Sequence, residues 1–182
     1  MKYLFDTSSL LAISRYYLPF DREKKLYKRI CDRFLAGDIV ILDTILNEGR
    51  YVAQGVILRS FPFLLDKKDL IINTSDLLPF STRKFDNLVN NNFSVSALVN
   101  NGKVDFSMLK QNFLASGDGK IIVYAYNKMH EGEKGFCVVT EETPFPNDGK
   151  VFKKLPALCD IIDVPHMNVV SLMELTTLRL DF

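Results

Sequence analysis

The chain begins with a short apolar run that stops at an acid and passes directly into a helical pattern. Residues 2–5 are Lys-Tyr-Leu-Phe, Asp6 follows, and small hydroxyl residues lead into Leu10 and Leu11. This order predicts a buried strand that ends at Asp6 and a helix that begins just after it. Ligands of open α/β sheets bind at the carboxyl ends of the strands, so Asp6 is placed either for chemistry or to cap the helix. From this stretch alone, the cap is the commoner role of such an acid.

Further apolar runs that end in polar residues predict more strands, with helical spacing between them. The predicted strands cover residues 38–42, 69–72, 136–139 and 168–170. The predicted helices cover 7–17, a segment opening at Asp21, one capped by Asp43 and Thr44, a long one from Gly117, a short one at 155–159, and a last one that Ser171 caps and that runs through Leu178. Strands that alternate with helices predict a parallel sheet covered on both faces. We therefore expect an α/β, Rossmann-like sheet of about four or five strands.

The length of 182 residues predicts one domain, 1–182, with one elaborated lobe. Residues 55–115 are predicted to form that lobe as a helical insertion in the α/β core. Its breaks are expected near Pro79, at Asn90–Asn92 and at Asn100–Gly102, where turn-forming residues cluster. The aromatic residues Phe80, Phe85 and Phe93 of the lobe are expected to lie in its core, and the less frequent alternative is that they stack on bases.

Composition favours a protein of a reducing compartment. The three cysteines have no metal-ligand spacing and would leave one thiol unpaired in any disulfide scheme. No apolar run approaches the roughly 20 residues that span a membrane, and an acid interrupts the N-terminal run too early for a signal peptide. We therefore expect a cytoplasmic protein that does not enter a membrane.

The net charge of +1 argues against strong non-specific binding of polyanions but allows a local basic patch. One such patch is the polar face of the helix predicted after Asp21, with Arg22, Lys24, Lys25, Lys28, Arg29 and Arg33. This face is either a solvated surface, which is the more frequent case, or a groove for a phosphate backbone.

Four acids fall at equivalent places in the predicted sheet. Asp6 and Glu142 follow the first and fourth strands, Glu48 lies early in the helix after the second, and Asp118 opens the helix before the fourth. Right-handed crossovers would make the first and fourth strands neighbours, so that all four carboxylates could converge on one pocket. Such a cluster needs a cation to stay ionised, and hard oxygen ligands select Mg²⁺ or Mn²⁺. A divalent ion held by carboxylates suits the hydrolysis of a phosphodiester.

Other chemistries are less well supported. His130 is predicted at a helix end and His166 in a loop, so a histidine-based mechanism is not expected. No Gly-x-Ser-x-Gly elbow is present, and Gly117-Asp118-Gly119 matches only the first half of a dinucleotide-binding motif. A small-molecule phosphatase on a similar sheet would need a second Asp where Ser8 stands.

These motifs together resemble a known family. The segments that carry the resemblance are Asp6-Thr7-Ser8, Glu48, Asp118 within Gly-Asp-Gly-Lys-Ile-Ile, and Val138-Val139-Thr140-Glu141-Glu142. In order and spacing they look like a PIN domain, the fold of metal-dependent ribonucleases that are typical toxins of bacterial and archaeal toxin–antitoxin pairs. The Lys-rich stretch 150–154 and Pro156-Ala157-Leu158-Cys159 resemble a divergent, uncharacterised PIN branch in particular. The resemblance covers residues 1–53 and 114–175.

The resemblance implies a site and its partners. The metal-binding and catalytic acids would be Asp6, Glu48, Asp118 and, at the fourth acidic position, Glu142; Ser8 and Thr140 would brace them. It also implies an RNA substrate, Mg²⁺ or Mn²⁺ as cofactor, and an antitoxin or a second copy of the chain as protein partner.

Two features depart from the family pattern. Most members have Asp at the fourth position, so the longer Glu142 is expected to weaken a second metal site. The glycines on both sides of Asp118 weaken the start of its helix. The sequence therefore predicts a metal-dependent endoribonuclease that acts as a toxin, and leaves one alternative: a PIN-like protein-interaction module with little or no turnover.

Overall fold

The chain folds around one parallel sheet. The structure, a computed structural model, describes residues 1–95, 105–133, 135–145 and 150–175. Its five strands are β1 (Lys2–Phe5), β2 (Ile39–Leu42), β3 (Ile71–Ile72), β4 (Phe136–Val139) and β5 (His166–Met167). They are ordered β3-β2-β1-β4-β5, and every pair is parallel. The prediction of an α/β fold with a Rossmann-like sheet is confirmed.

The central strands are buried because their sequences are apolar on both faces, as covered parallel strands require. In β1, Leu4 lies opposite Val40 of β2 and Val138 of β4. The chain steps outward from β1 through β2 to β3 and then returns to β4 on the other side of β1. The carboxyl ends of β1 and β4 are therefore neighbours at the topological switch point, where open α/β sheets bind ligands.

Helices connect the strands and cover the sheet. In chain order they are α1 (Thr7–Ala12), α2 (Lys25–Leu35), α3 (Asp43–Tyr51), α4 (Val56–Ser60), α5 (Phe63–Asp66), α6 (Thr82–Leu88), α7 (Phe106–Ala115), α8 (Gly117–His130), α9 (Leu155–Ile161) and α10 (Val169–Leu175). Two of them continue as π-helical turns, α1 through Ile13–Tyr17 and α6 through Val89–Phe93. Shorter 3-10 turns cover Leu18–Phe20, Val52–Gly55 and Lys68–Leu70.

Two predicted boundaries are wrong. The second helix begins at Lys25 rather than at Asp21. The Asp21 carboxylate instead accepts a hydrogen bond from the Tyr27 amide (2.8 Å), so it satisfies a donor of the first turn from outside the helix. The predicted break at Asn90–Asn92 is a π-helical turn that prolongs α6.

The break predicted at Asn100–Gly102, most of the polar loop before Lys150, and the end of the last helix lie outside the described residues.

The end of the chain also differs from its prediction. The last strand is His166–Met167, and the predicted strand at 168–170 is instead the start of α10. The Asn168 side chain accepts a hydrogen bond from the Ser171 amide (2.8 Å), so Asn168 rather than Ser171 caps the helix. The Glu141 carboxylate accepts another from the Val169 amide (2.7 Å). His166 therefore lies in a strand and not in a loop.

The lobe joins the core through aromatic contacts. Phe85 and Phe93 are buried and pack edge to face, with ring centroids 5.7 Å apart. Phe85 also meets Tyr126 of α8 at 5.0 Å. Phe80 is 66% exposed, so its predicted place in the core is wrong. Among the helices that the structure describes, none combines the length and apolar character needed to cross a membrane.

Candidate acidic site

Asp6 lies at the carboxyl end of β1 and is only 5% exposed. Its carboxylate does not cap α1. The Oδ2 atom instead accepts hydrogen bonds from Ser8 Oγ (2.6 Å) and Thr140 Oγ1 (3.0 Å). Of the two roles open to Asp6 from the sequence, the capping role is wrong. Ser8 and Thr140, to which the PIN resemblance assigns a bracing role, both contact Asp6.

The two hydroxyl groups are oriented by backbone amides. The Glu141 amide donates to Ser8 Oγ (2.9 Å), and the Glu142 amide donates to Thr140 Oγ1 (3.2 Å). Each hydroxyl oxygen thus accepts a hydrogen bond from a backbone amide that follows β4, and each hydroxyl donates its own hydrogen to Asp6. This arrangement fixes one carboxylate oxygen and connects the ends of β1 and β4.

Glu48 of α3 turns back over the sheet edge rather than into solvent. Its Oε2 atom accepts a hydrogen bond from Thr7 Oγ1 (2.7 Å), and its Oε1 atom accepts one from the Gly117 amide (2.9 Å). A Cβ atom at Gly117 would lie 2.6 Å from Oε1, so only glycine allows the amide to come this close. Glu48 therefore joins the N-terminal ends of α1 and α8.

Asp118 lies in the first turn of α8 without serving as its cap. Ser116 does that, because its Oγ atom accepts from the Gly119 amide (3.2 Å). Within the described part of the chain, no group forms a hydrogen bond with the Asp118 carboxylate. Gly119 is needed for packing, since a Cβ there would lie 2.8 Å from the Phe113 carbonyl carbon. The two glycines that weaken this helix start are thus both explained by close approach.

The acids act on one another through Asp118. Burial first, and then the nearby negative charges of Asp6, Glu142 and Glu48, together raise the pKa of the Asp118 carboxyl to about 7. The opposing charge of Lys150 lowers this pKa. The other three predicted acids therefore lie within electrostatic reach of the Asp118 carboxyl group.

Glu142 contributes its charge but directs its carboxylate to another helix. Its Oε2 atom accepts a hydrogen bond from the Leu155 amide (2.9 Å) at the start of α9. Glu141 points the other way, to Val169, as the alternation of side chains at a strand end predicts. Both glutamates thus stabilise helix N-terminal ends, where negative charge is favourable.

The donor chemistry fits a divalent cation, although the side chains do not form a finished ligand set. Four carboxylates supply the hard oxygen atoms that Mg²⁺ and Mn²⁺ prefer, and Asp118 would bind a proton near neutral pH without a cation. Within the described ranges, however, no three His, Cys, Asp or Glu side chains come close enough together to hold a metal ion. Glu48 and Glu142 are instead engaged by Thr7, Gly117 and Leu155.

Two residues that act on the acids, Thr7 and Lys150, were not predicted from the sequence as parts of the site. Thr7 was considered only as part of the helix start, but its hydroxyl holds Glu48. Lys150 was noted only within a Lys-rich stretch, but its charge acts on Asp118. Thr7 could have been found from its place beside Asp6; no local pattern brings Lys150 to the acids.

The profile of one protein family matches residues 69–180, which is more than half of the chain. It is described as a domain of unknown function (DUF4411). The chain belongs to this family. No curated protein shows significant similarity to the chain.

The DUF4411 match covers one half of the acidic site. Asp118, Thr140 and Glu142 lie inside the matched segment, whereas Asp6 and Glu48 precede it. The match also includes most of the lobe, to which the PIN resemblance did not extend. The family description carries no activity, so the PIN resemblance stays a prediction.

Proposed function

We propose that the protein is a metal-dependent endoribonuclease that acts as the toxin of a toxin–antitoxin pair. The observation that carries this proposal is the hydrogen-bonded arrangement of Asp6 and Glu48 at the switch point of the sheet. Their partners come from the ends of both central strands and from the first turn of α8. The proposal further rests on the resemblance of these segments to PIN domains.

The hydrogen bonds of each carboxylate suggest how the acids would share the binding of the metal ion. Asp6 and Asp118 would hold Mg²⁺ or Mn²⁺, with Glu48 and Glu142 as further ligands. Such an ion activates water and neutralises charge on the phosphate during phosphodiester hydrolysis. Ser8 and Thr140 would fix the Asp6 carboxylate through its Oδ2 atom, which leaves Oδ1 for a ligand.

The substrate would be held by its phosphates. Lys150 is exposed, and its charge reaches the acids, so it can contact a phosphate next to the scissile one. The basic face of α2 would extend this contact along the strand, although part of it is engaged in ion pairs such as Arg33 with Asp38 (2.8 Å). An RNA substrate would place the activity in the cytoplasm, where an antitoxin or a second copy of the chain could cover the site.

Replacing Asp6 by Asn tests the activity, because Asn keeps the size of the side chain and removes the charge. We expect the wild-type chain to cleave single-stranded RNA with Mg²⁺ or Mn²⁺ and to arrest growth when expressed. Asp6→Asn should lose both effects. Asp66→Asn, an exposed position at the end of α5, serves as the matched control and should retain both. RNA cleavage that Asp6→Asn leaves unchanged would refute the nuclease proposal.

The contacts of Glu48 and Glu142 favour a second candidate, a PIN-like interaction module without turnover. Both carboxylates already accept hydrogen bonds, and this stabilises the fold without any metal. In that case neither Asp6→Asn nor the wild-type chain would cleave RNA. Glu48→Gln would then reduce stability while leaving binding of a protein partner intact.

A further inference from the structure

A second candidate site lies at the far end of the α1 helical run. A cavity of about 470 Å³ opens between the π-helical turn, the segment before α2 and the end of α4. A leucine and two prolines form its apolar wall, and its polar wall consists of Ser14, Asp21, Lys24, Tyr27, Arg59 and Ser60. This volume is in the range that ordinary small-molecule sites occupy.

Ser14 is an unsatisfied polar group in the wall of this cavity. The residue is only 5% exposed, and its Oγ atom is buried with no hydrogen-bond partner among the described residues. Buried polar groups are almost always hydrogen-bonded, so an exception requires an explanation. Ser14 also lies in a π-helical turn, an irregularity that is frequent at functional sites. A ligand that supplies the missing partner would explain both features.

Two cations make the cavity suitable for an anion. Lys24 has no ion-pair partner in the part of the chain that the structure describes, and its φ of 55° is unusual for a residue with a side chain. Arg59 donates to the Gln54 carbonyl oxygen and retains further N–H donors. The one acid in the wall, Asp21, is already engaged by the Tyr27 amide.

We propose that this cavity binds the phosphate of a nucleotide in a single RNA strand whose neighbouring segment reaches the acidic site. Lys24 and Arg59 contact the phosphate, the Ser14 hydroxyl donates to it, and the apolar wall packs against the base or the ribose. The assignment to RNA rests on the proposed nuclease function. The anion-binding chemistry of the cavity rests only on the residues that line it.

The cavity and the acids are built on the same helices. Ser14 lies six residues beyond Ser8 in one helical run, which is about 9 Å along its axis. Arg59 belongs to α4, which packs against both the π-helical turn and α3, the helix of Glu48. Six residues also turn Ser14 by about 120° around the axis, so the path over the helix surface is about 14 Å, which corresponds to about four stacked nucleotides of one strand. One RNA strand can therefore span both sites.

Titrations of the full chain in EDTA test the cavity, because cleavage by the acidic site requires the cation that EDTA removes. The probes are a six-nucleotide oligouridylate, uridine 5′-monophosphate and inorganic phosphate, followed through the backbone amide signals of Ser14, Lys24 and Ser60. We expect all three probes to shift these signals, with the oligonucleotide binding most tightly. Tight binding of the mononucleotide without binding of the oligonucleotide would overturn the RNA assignment. No shift at these amides with any probe would overturn the site itself.

Three variants define the contacts. Lys24→Gln and Arg59→Gln should each weaken oligonucleotide binding by about tenfold, the effect of one hydrogen bond to a charged group. Lys67→Gln, an exposed lysine that follows α5 and lies outside the cavity wall, is the matched control and should bind normally. Equal affinities for all three variants would contradict the proposal.

The variant Ser14→Ala separates ligand binding by the Ser14 hydroxyl from a purely structural role of this hydroxyl. Removing a buried hydroxyl without a partner should raise the melting temperature, while the loss of the donor should weaken oligonucleotide binding by about tenfold. A variant that is more stable but binds with unchanged affinity would contradict the role of Ser14. Because this assay detects no cleavage, its outcome is independent of the Asp6→Asn test of the nuclease.

Discussion

The titration of Asp118 should make the free energy of unfolding depend on pH, and the substitution Asp118→Asn should remove this dependence. The pKa of this carboxyl rises from an ordinary 3.8 to about 7, because of burial first and of the neighbouring acids second. The folded state therefore keeps a proton that the unfolded state loses between pH 4 and pH 7. Stability must fall as the pH rises through this window, and the full cost is present above pH 7.

The magnitude follows from the two pKa values. A rise from 3.8 to about 7 corresponds to about 4 kcal/mol of unfolding free energy at pH 8 and to almost none below pH 4. We expect urea denaturation to show Asp118→Asn gaining about this much relative to wild type between pH 4 and pH 8. Asp66→Asn should show no such gain. A difference between Asp118→Asn and wild type that stays flat from pH 4 to pH 8 would refute the acidic cluster.

The same measurement reports on cation binding. At pH 8, Mg²⁺ or Mn²⁺ at one hundred times its dissociation constant should stabilise the wild-type chain by about 2.7 kcal/mol. EDTA should reverse this effect, and Asp118→Asn should show little of it. Equal stabilisation of both proteins by the cation would place the bound ion elsewhere.

The glycines around Asp118 give two further predictions that calorimetry and RNA cleavage can separate. Gly119→Ala should lower the free energy of unfolding by about 3 kcal/mol or more, because the new Cβ would clash with the backbone of Phe113. The better helix propensity of alanine, about 1 kcal/mol, does not offset this loss. Gly117→Ala should fold with a smaller loss but reduce cleavage, since its Cβ displaces the flexible Glu48 side chain. Gly135→Ala, where the nearest atom is 3.8 Å away, should change neither, and equal losses in all three variants would contradict this account.

The sheet was predictable because its strands carry strong local signals. The apolar runs at β1, β2 and β4 each end in a polar residue, and right-handed crossovers then make β1 and β4 neighbours. That topology brings the predicted acids to one edge of the sheet, although no three of the described acidic side chains come close enough together to hold a metal ion. The same rules located two helix starts less well: Asp21 accepts from an amide six residues further on without opening the helix itself, and Asn168 caps α10 three residues before the predicted cap, Ser171.

The details of the site depended on contacts between distant parts of the chain. Glu48 on an amphipathic helix could equally have faced solvent. Its orientation is decided by Thr7 and by the Gly117 amide, which are 41 and 69 residues away. Helix propensity alone predicts that Gly117 weakens the start of the helix. The structure shows that its lack of a side chain lets the Glu48 carboxylate approach the Gly117 amide.

Crystals soaked in Mn²⁺ and measured for anomalous scattering would test the central proposal most directly. We expect an anomalous peak at the carboxyl edge of the sheet, in contact with Asp6 and Asp118, and we expect Asp6→Asn to lose it. Glu48 should turn toward the ion and release the Gly117 amide, and Glu142 should turn toward it and release the Leu155 amide. An empty edge at saturating Mn²⁺, in crystals that diffract well and retain the fold, would contradict the proposed metal site.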